Sequence, residues 1–245
     1  MCMGQLSSVI YQQPGVAVCE KRECMGIEPT GSFVHSPLVL KTNTESTQAA
    51  SNEDHTENTA SVLERPFVHY LTTNLPSRAR EHFFGLREAK SDLVGFALFD
   101  RIDKPLATGT ALTESMWQKR EIENYLCRES VLLAYARHDQ PDDLFGRAEA
   151  ERREQVMREC IQEVTAALQT LGRPAPWSVD VKASDEFLNP LFDLFFRKLG
   201  LPNLLRKTDY YVLADLVPAN EIDPEVVAKL DGIVAVAAMA KPKEG

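Results

Sequence analysis

Long apolar runs are missing from this sequence. The longest, Leu93 to Phe99 and Gly232 to Ala240, fall far short of the roughly 18 to 20 residues that cross a bilayer. A membrane helix is therefore not expected. The first residues also lack a basic region followed by an apolar core, so no secretory signal is read and the expected compartment is the cytoplasm. Cysteine is scarce: five residues, at 2, 19, 24, 127 and 160, form an odd set without the paired spacing of a zinc site. The thiols are expected to be free. Basic residues are outnumbered, 27 Lys and Arg against 36 Asp and Glu for a formal charge of −9. That balance argues against a surface built for general nucleic-acid binding, which rests on clustered cations. No serine sits in a nucleophile elbow, and no Gly-rich loop ends in Lys-Ser or Lys-Thr to cradle a phosphate. The five histidines, at 35, 55, 69, 82 and 138, are scattered, and His82 reads as a surface or boundary residue.

What the chain does have is length and pattern. Its 245 residues, 44% of them hydrophobic, suffice for one sizeable core or two small ones. Residues 1–60 show no sustained period of 2 or 3.6, and Lys41 to Ala60 is dominated by Thr, Ser, Asn, Glu and Ala, so a disordered tail is expected. Within it Cys24-Met25-Gly26-Ile27-Glu28-Pro29-Thr30 resembles the peptide that a mistakenly translated transfer-RNA gene would give. Residues 1–60 are thus read either as partly spurious translation or as a genuine flexible tail.

Order is expected from about residue 61. Phe67-Val68-His69-Tyr70-Leu71 has the content of a short strand, and Thr73-Asn74-Leu75-Pro76-Ser77 opens a helix to about Lys90 with Phe83, Leu86, Ala79 and Phe84 on its apolar side. Leu93 to Phe99 reads as a strand buried on both faces of a parallel sheet. Strand, helix, strand implies an α/β crossover. A further short strand is expected over Met116 to Arg120. Helices are expected over Glu129 to Arg137, Asp143 to Leu171, Ser184 to Gly200, Asp209 to Leu216 and Pro224 to about Ala240. In the longest, Met157, Cys160, Ile161, Val164, Leu168 and Leu171 form the apolar face, and its alternating Glu and Arg read as a solvated surface.

Two constellations of carboxylates carry chemical interest. Asp100 and Asp103 follow the buried strand, at the sheet edge where ligands bind in open α/β folds. Carboxylates there would hold Mg²⁺ through one or two oxygens, and the metal could polarise a phosphodiester and generate the attacking hydroxide. The plainer reading is a strand end followed by a solvated turn. Glu121 and Glu123 follow Trp117 and Lys119-Arg120, whose cations could neutralise a phosphate. In an extended chain the two glutamates share a face, whereas in a helix they diverge by about 200°.

The run from Arg80-Glu81-His82-Phe83 through Gly95 to Arg101 and on to Trp117-Gln118-Lys119-Arg120-Glu121-Ile122-Glu123-Asn124-Tyr125-Leu126 resembles the TOPRIM portion of OLD-like ATP-dependent nucleases. The likeness continues through Lys182-Ala183-Ser184-Asp185 and Glu221 to Leu230, spanning roughly residues 62–235. It implies a partial TOPRIM-like parallel sheet over residues 61–140, followed by a helical region over 141–245. It also implies a Mg²⁺- or Mn²⁺-dependent DNA endonuclease with Asp100, Asp103 and Glu121 catalytic, those three and Glu123 as metal ligands, and a link to phage defence. ATP dependence would come from an ATPase subunit encoded separately, since no ATP site lies in the chain.

Two departures mark the resemblance. The family's first strand ends in an acidic residue that should lie upstream of Phe67, where no apolar strand is evident and Glu64 substitutes poorly, and the aspartate pair is spaced one residue wider than usual. The expectation is a truncated module inactive by itself, with weak stability where a central strand is missing. The alternative expectation is a non-catalytic module that binds an ATPase partner.

Overall fold

A computed structural model of the protein describes residues 7–11, 68–71 and 73–240. Its strands are β1 (Ser7–Tyr11), β2 (Val68–Leu71), β3 (Gly95–Phe99) and β4 (Leu112–Met116), and its α-helices are α1 (Pro76–Ala89), α2 (Glu129–Arg137), α3 (Leu144–Thr170), α4 (Asn189–Leu199) and α5 (Pro224–Ala238). The chain divides into two compact units, one holding the sheet, α1 and residues from Ala228 onward, the other running over Trp117–Val227.

In the first unit the four strands lie in the order β2-β1-β3-β4. β1 is antiparallel to both β2 and β3, while β3 and β4 are parallel. β2, β3 and β4 therefore point the same way around one reversed strand. This corrects the expectation of a parallel sheet: the α/β character holds, but the sheet is mixed and β3–β4 is its only parallel pair among the described residues. The expected disordered tail falls largely outside the described residues; the part that is described, Ser7–Tyr11, is a strand paired on both sides.

β3 explains why an unbroken apolar run is needed. Side chains alternate across a strand, and Ala97 and Phe99 join Ala79 and Phe83 of α1 with Leu93 and Leu112 in one buried cluster. Phe96 joins Val68 and the α5 residues Ile233, Val236 and Ala237 in a second, with Leu98 packed against it. Both faces of β3 are thus covered. The close seating of α5 depends on Gly232, where a Cβ would lie 3.1 Å from the Phe96 ring. Two expectations shift here. β4 is Leu112–Met116, upstream of the Met116 to Arg120 strand read from sequence, because Leu112 carries the burial while residues 117–120 turn away from the ladder. Phe84 is exposed on α1, leaving Ala79 and Phe83 to face the core.

The second unit is helical. Asp143 caps α3 by accepting from the Gly146 amide at 2.7 Å, as a helix N-terminus requires. The α3 face of Met157, Cys160, Ile161, Val164 and Leu168 is buried, but Leu171 lies beyond the last turn and is exposed. Its charged face pairs Arg152 and Arg153 with Glu149, and Arg158 with Glu154, one turn apart. Residues 183–199 begin not as α-helix but as a π-helical turn, Ala183–Leu188, that runs into α4. Residues Lys207–Leu216 wind as a 3₁₀ helix. Phe187, Leu191, Phe192 and Phe195 fill the core, and Phe192 meets the rings of Tyr135 and Tyr210.

Candidate functional site

Asp100 ends β3 and is buried, 7% exposed. Its backbone carbonyl accepts a hydrogen bond from the Asn74 side-chain amide at 3.2 Å. Asn74, itself buried, precedes the proline that starts α1, so the strand end is tied to the head of the helix. Asp103, three residues on, is exposed. The two aspartates thus occupy unlike surroundings, one held and one solvated.

Glu121 and Glu123 belong to the other unit. Glu121 has extended backbone and caps the 3₁₀ turn Ile122–Tyr125, with its amide donating to Asn124 Oδ1 at 3.0 Å. Asn124 reaches on to the carbonyls of Val181 and Ser178. The Glu121 carboxylate, 2% exposed, accepts from the Ser184 backbone N–H at 2.5 Å and from Lys207 Nζ at 3.4 Å. Burial alone would lower the Lys207 ammonium, but the charges of Glu123, Glu121 and Asp185 outweigh it and hold the group above its ordinary value. A carboxylate buried this deeply requires such partners. Glu121 is extended and Glu123 lies within the turn, so neither sequence-level alternative, both extended or both helical, describes them.

Lys119, read from sequence as a phosphate cation, pairs with Asp223 at 2.8 Å and lies over the Tyr125 ring, 4.1 Å from its centre. Arg128 also approaches Asp223. Burial would raise the Asp223 carboxyl, but Lys119, the Glu225 amide and Arg128 hold it below its usual range.

The four predicted ligands therefore divide as Asp100 with Asp103 in the first unit and Glu121 with Glu123 in the second. Among the described residues, no three His, Cys, Asp or Glu side chains are grouped to hold a metal ion. No family model matches the chain, and neither does any curated protein or solved structure. No helix among the described residues is long and apolar enough to cross a membrane.

Three arrangements escaped the sequence reading. Arg80 grips Glu114 of β4 through two hydrogen bonds of 2.5 and 2.7 Å. Lys207 reaches Glu121 from 86 residues away. His69 and His82, thirteen residues apart, bring ring nitrogens to 3.2 Å. Each joins segments whose proximity only the fold decides; for the histidines the available signal was that a strand and the helix after it pack together.

Proposed function

We propose that this chain carries a TOPRIM-like, Mg²⁺- or Mn²⁺-dependent phosphodiester-cleaving module of the OLD-like kind, feeble in cleavage without further groups. Asp100 is its metal ligand and the exposed Asp103 the second carboxylate. The observation that carries the reading is Asp100. It is buried at the carboxyl end of β3 with its backbone tied by Asn74, on the edge towards which β2, β3 and β4 all run and where ligands of α/β sheets collect. A metal held there would polarise the phosphodiester and supply hydroxide. The negative charge of the chain makes the cation the means of approach to DNA. The resemblance of residues 117–126 to OLD-like proteins supports the reading further.

Feebleness follows from the same geometry. Both oxygens of Glu121 already have donors, and Asp103 is solvated. The test is nicking of supercoiled DNA with Mn²⁺. The chain alone is expected to give weak, Mn²⁺-dependent nicking that Asp100→Asn abolishes. Robust cleavage by the chain alone, or nicking unchanged in Asp100→Asn, would refute the reading.

A second reading, a non-catalytic module that binds a separately encoded ATPase, has one observation in its favour. Leu144 and Phe145, adjacent at the start of α3, are 72% and 83% exposed. Loss of co-purification of such an ATPase on Phe145→Ser, with Asp100→Asn without effect, would favour it over the first.

A further inference from the structure

The geometry points to a transition-metal site at His69 and His82, distinct from the carboxylates of the proposed Mg²⁺ site. His69 stands on β2 and His82 on α1, and Nδ1 of the first lies 3.2 Å from Nε2 of the second. The rings are tilted by 51° with centres 5.1 Å apart, so they converge edge to edge at the nitrogens instead of stacking. Two imidazole nitrogens bound to one tetrahedral ion at 2.0 to 2.1 Å lie about 3.3 to 3.4 Å apart. The pair is thus within about 0.2 Å of the spacing a shared ion imposes, and as the ion enters, the proton between the rings moves to the other nitrogen of the ring that carried it, so that both imidazoles ligate neutral.

Imidazole chemistry selects Zn²⁺, Ni²⁺ and Cu²⁺ over Mg²⁺, which prefers oxygen. Both side chains are half-buried, which leaves the remaining coordination positions to water or an exchangeable ligand. Burial lowers the His82 pKa, favouring the neutral ring that ligates. Competing thiols among the described residues are held protonated: burial pushes Cys127 well up and Cys160 up to about 11. The strand-to-helix connection between the histidines also includes Asn74, so the site sits on the element that anchors Asp100, although its ligands are separate.

The test is titration of the full chain with Ni²⁺, following the ring ¹H–¹⁵N resonances of His69 and His82 and the affinity by calorimetry. Both rings are expected to respond together. His82→Gln and His69→Gln should each weaken binding by about tenfold or more, the loss that removal of even a ligand's outer partner causes. Saturating Mg²⁺, which prefers oxygen ligands, should leave the response of both rings to Ni²⁺ in place, which separates this site from the carboxylate reading. Rings that do not respond, or an affinity retained in both Gln variants, would overturn the assignment.

Discussion

At the scale of single residues, buried charge dictates the costs. Glu121 is the buried acceptor for the Ser184 amide, and Ser184 is itself fully buried. Glu121→Ala should destabilise the chain by about 1 to 3 kcal/mol, the cost of an orphaned buried donor, and Glu121→Gln by less, because it keeps an acceptor. Urea unfolding of both variants checks the order. Lys207, partly exposed at its head, can recover solvation, which keeps the loss below that of a sealed ion pair. Glu114 supplies a pH dependence. Burial would raise its carboxyl, but Arg80 and the Ala107 amide outweigh burial and hold it below its usual value. A depressed carboxyl adds stability that is present above the unfolded value of about 4.3 and is lost as pH falls through the folded one. Acid unfolding of Arg80→Ala should therefore show a shallower loss of stability below about pH 4 than the parent.

Secondary-structure elements show what a sequence can and cannot disclose. α2 was legible to its ends, and α3 to within a residue of its start, because periodic apolar residues and the Asp143 cap are local signals. β3 was legible as a doubly buried strand, since Phe96 and Phe99 had to face opposite cores. β1 was not: Ser7–Tyr11 pairs with Val68–Leu71 on one side and Gly95–Leu98 on the other, both far away in sequence, and its strand formers Val9, Ile10 and Tyr11 are too short a run to mark a strand without those partners. The π-helical turn at Ala183–Leu188 was equally hidden, because it is set where Ser184 meets Glu121 rather than by periodicity. At the start of α3, a Cβ on Gly146 would lie 1.9 Å from the Pro141 carbonyl oxygen. Gly146→Ala should therefore force the Asp143 cap apart and fray the first turn, at about 1 to 3 kcal/mol. Amide exchange faster over residues 144–150 than over the rest of α3 is the expected signature.

For the whole molecule, the sequence conveyed the acidic character and the sheet-then-helices order. The candidate site was legible only as types of residue: Asp100 was readable as a strand-end carboxylate, while the partners that engage Glu121 come from residues 184 and 207 and could not be read from its neighbours. Under the proposed nuclease reading, Asp100, buried at the end of β3, is the carboxylate that binds the metal ion. The direct test is calorimetric titration of the purified chain with Mn²⁺, in parallel with Asp100→Asn. The account predicts measurable binding by the parent chain that disappears in the variant, whereas equal affinity in the two proteins would contradict it.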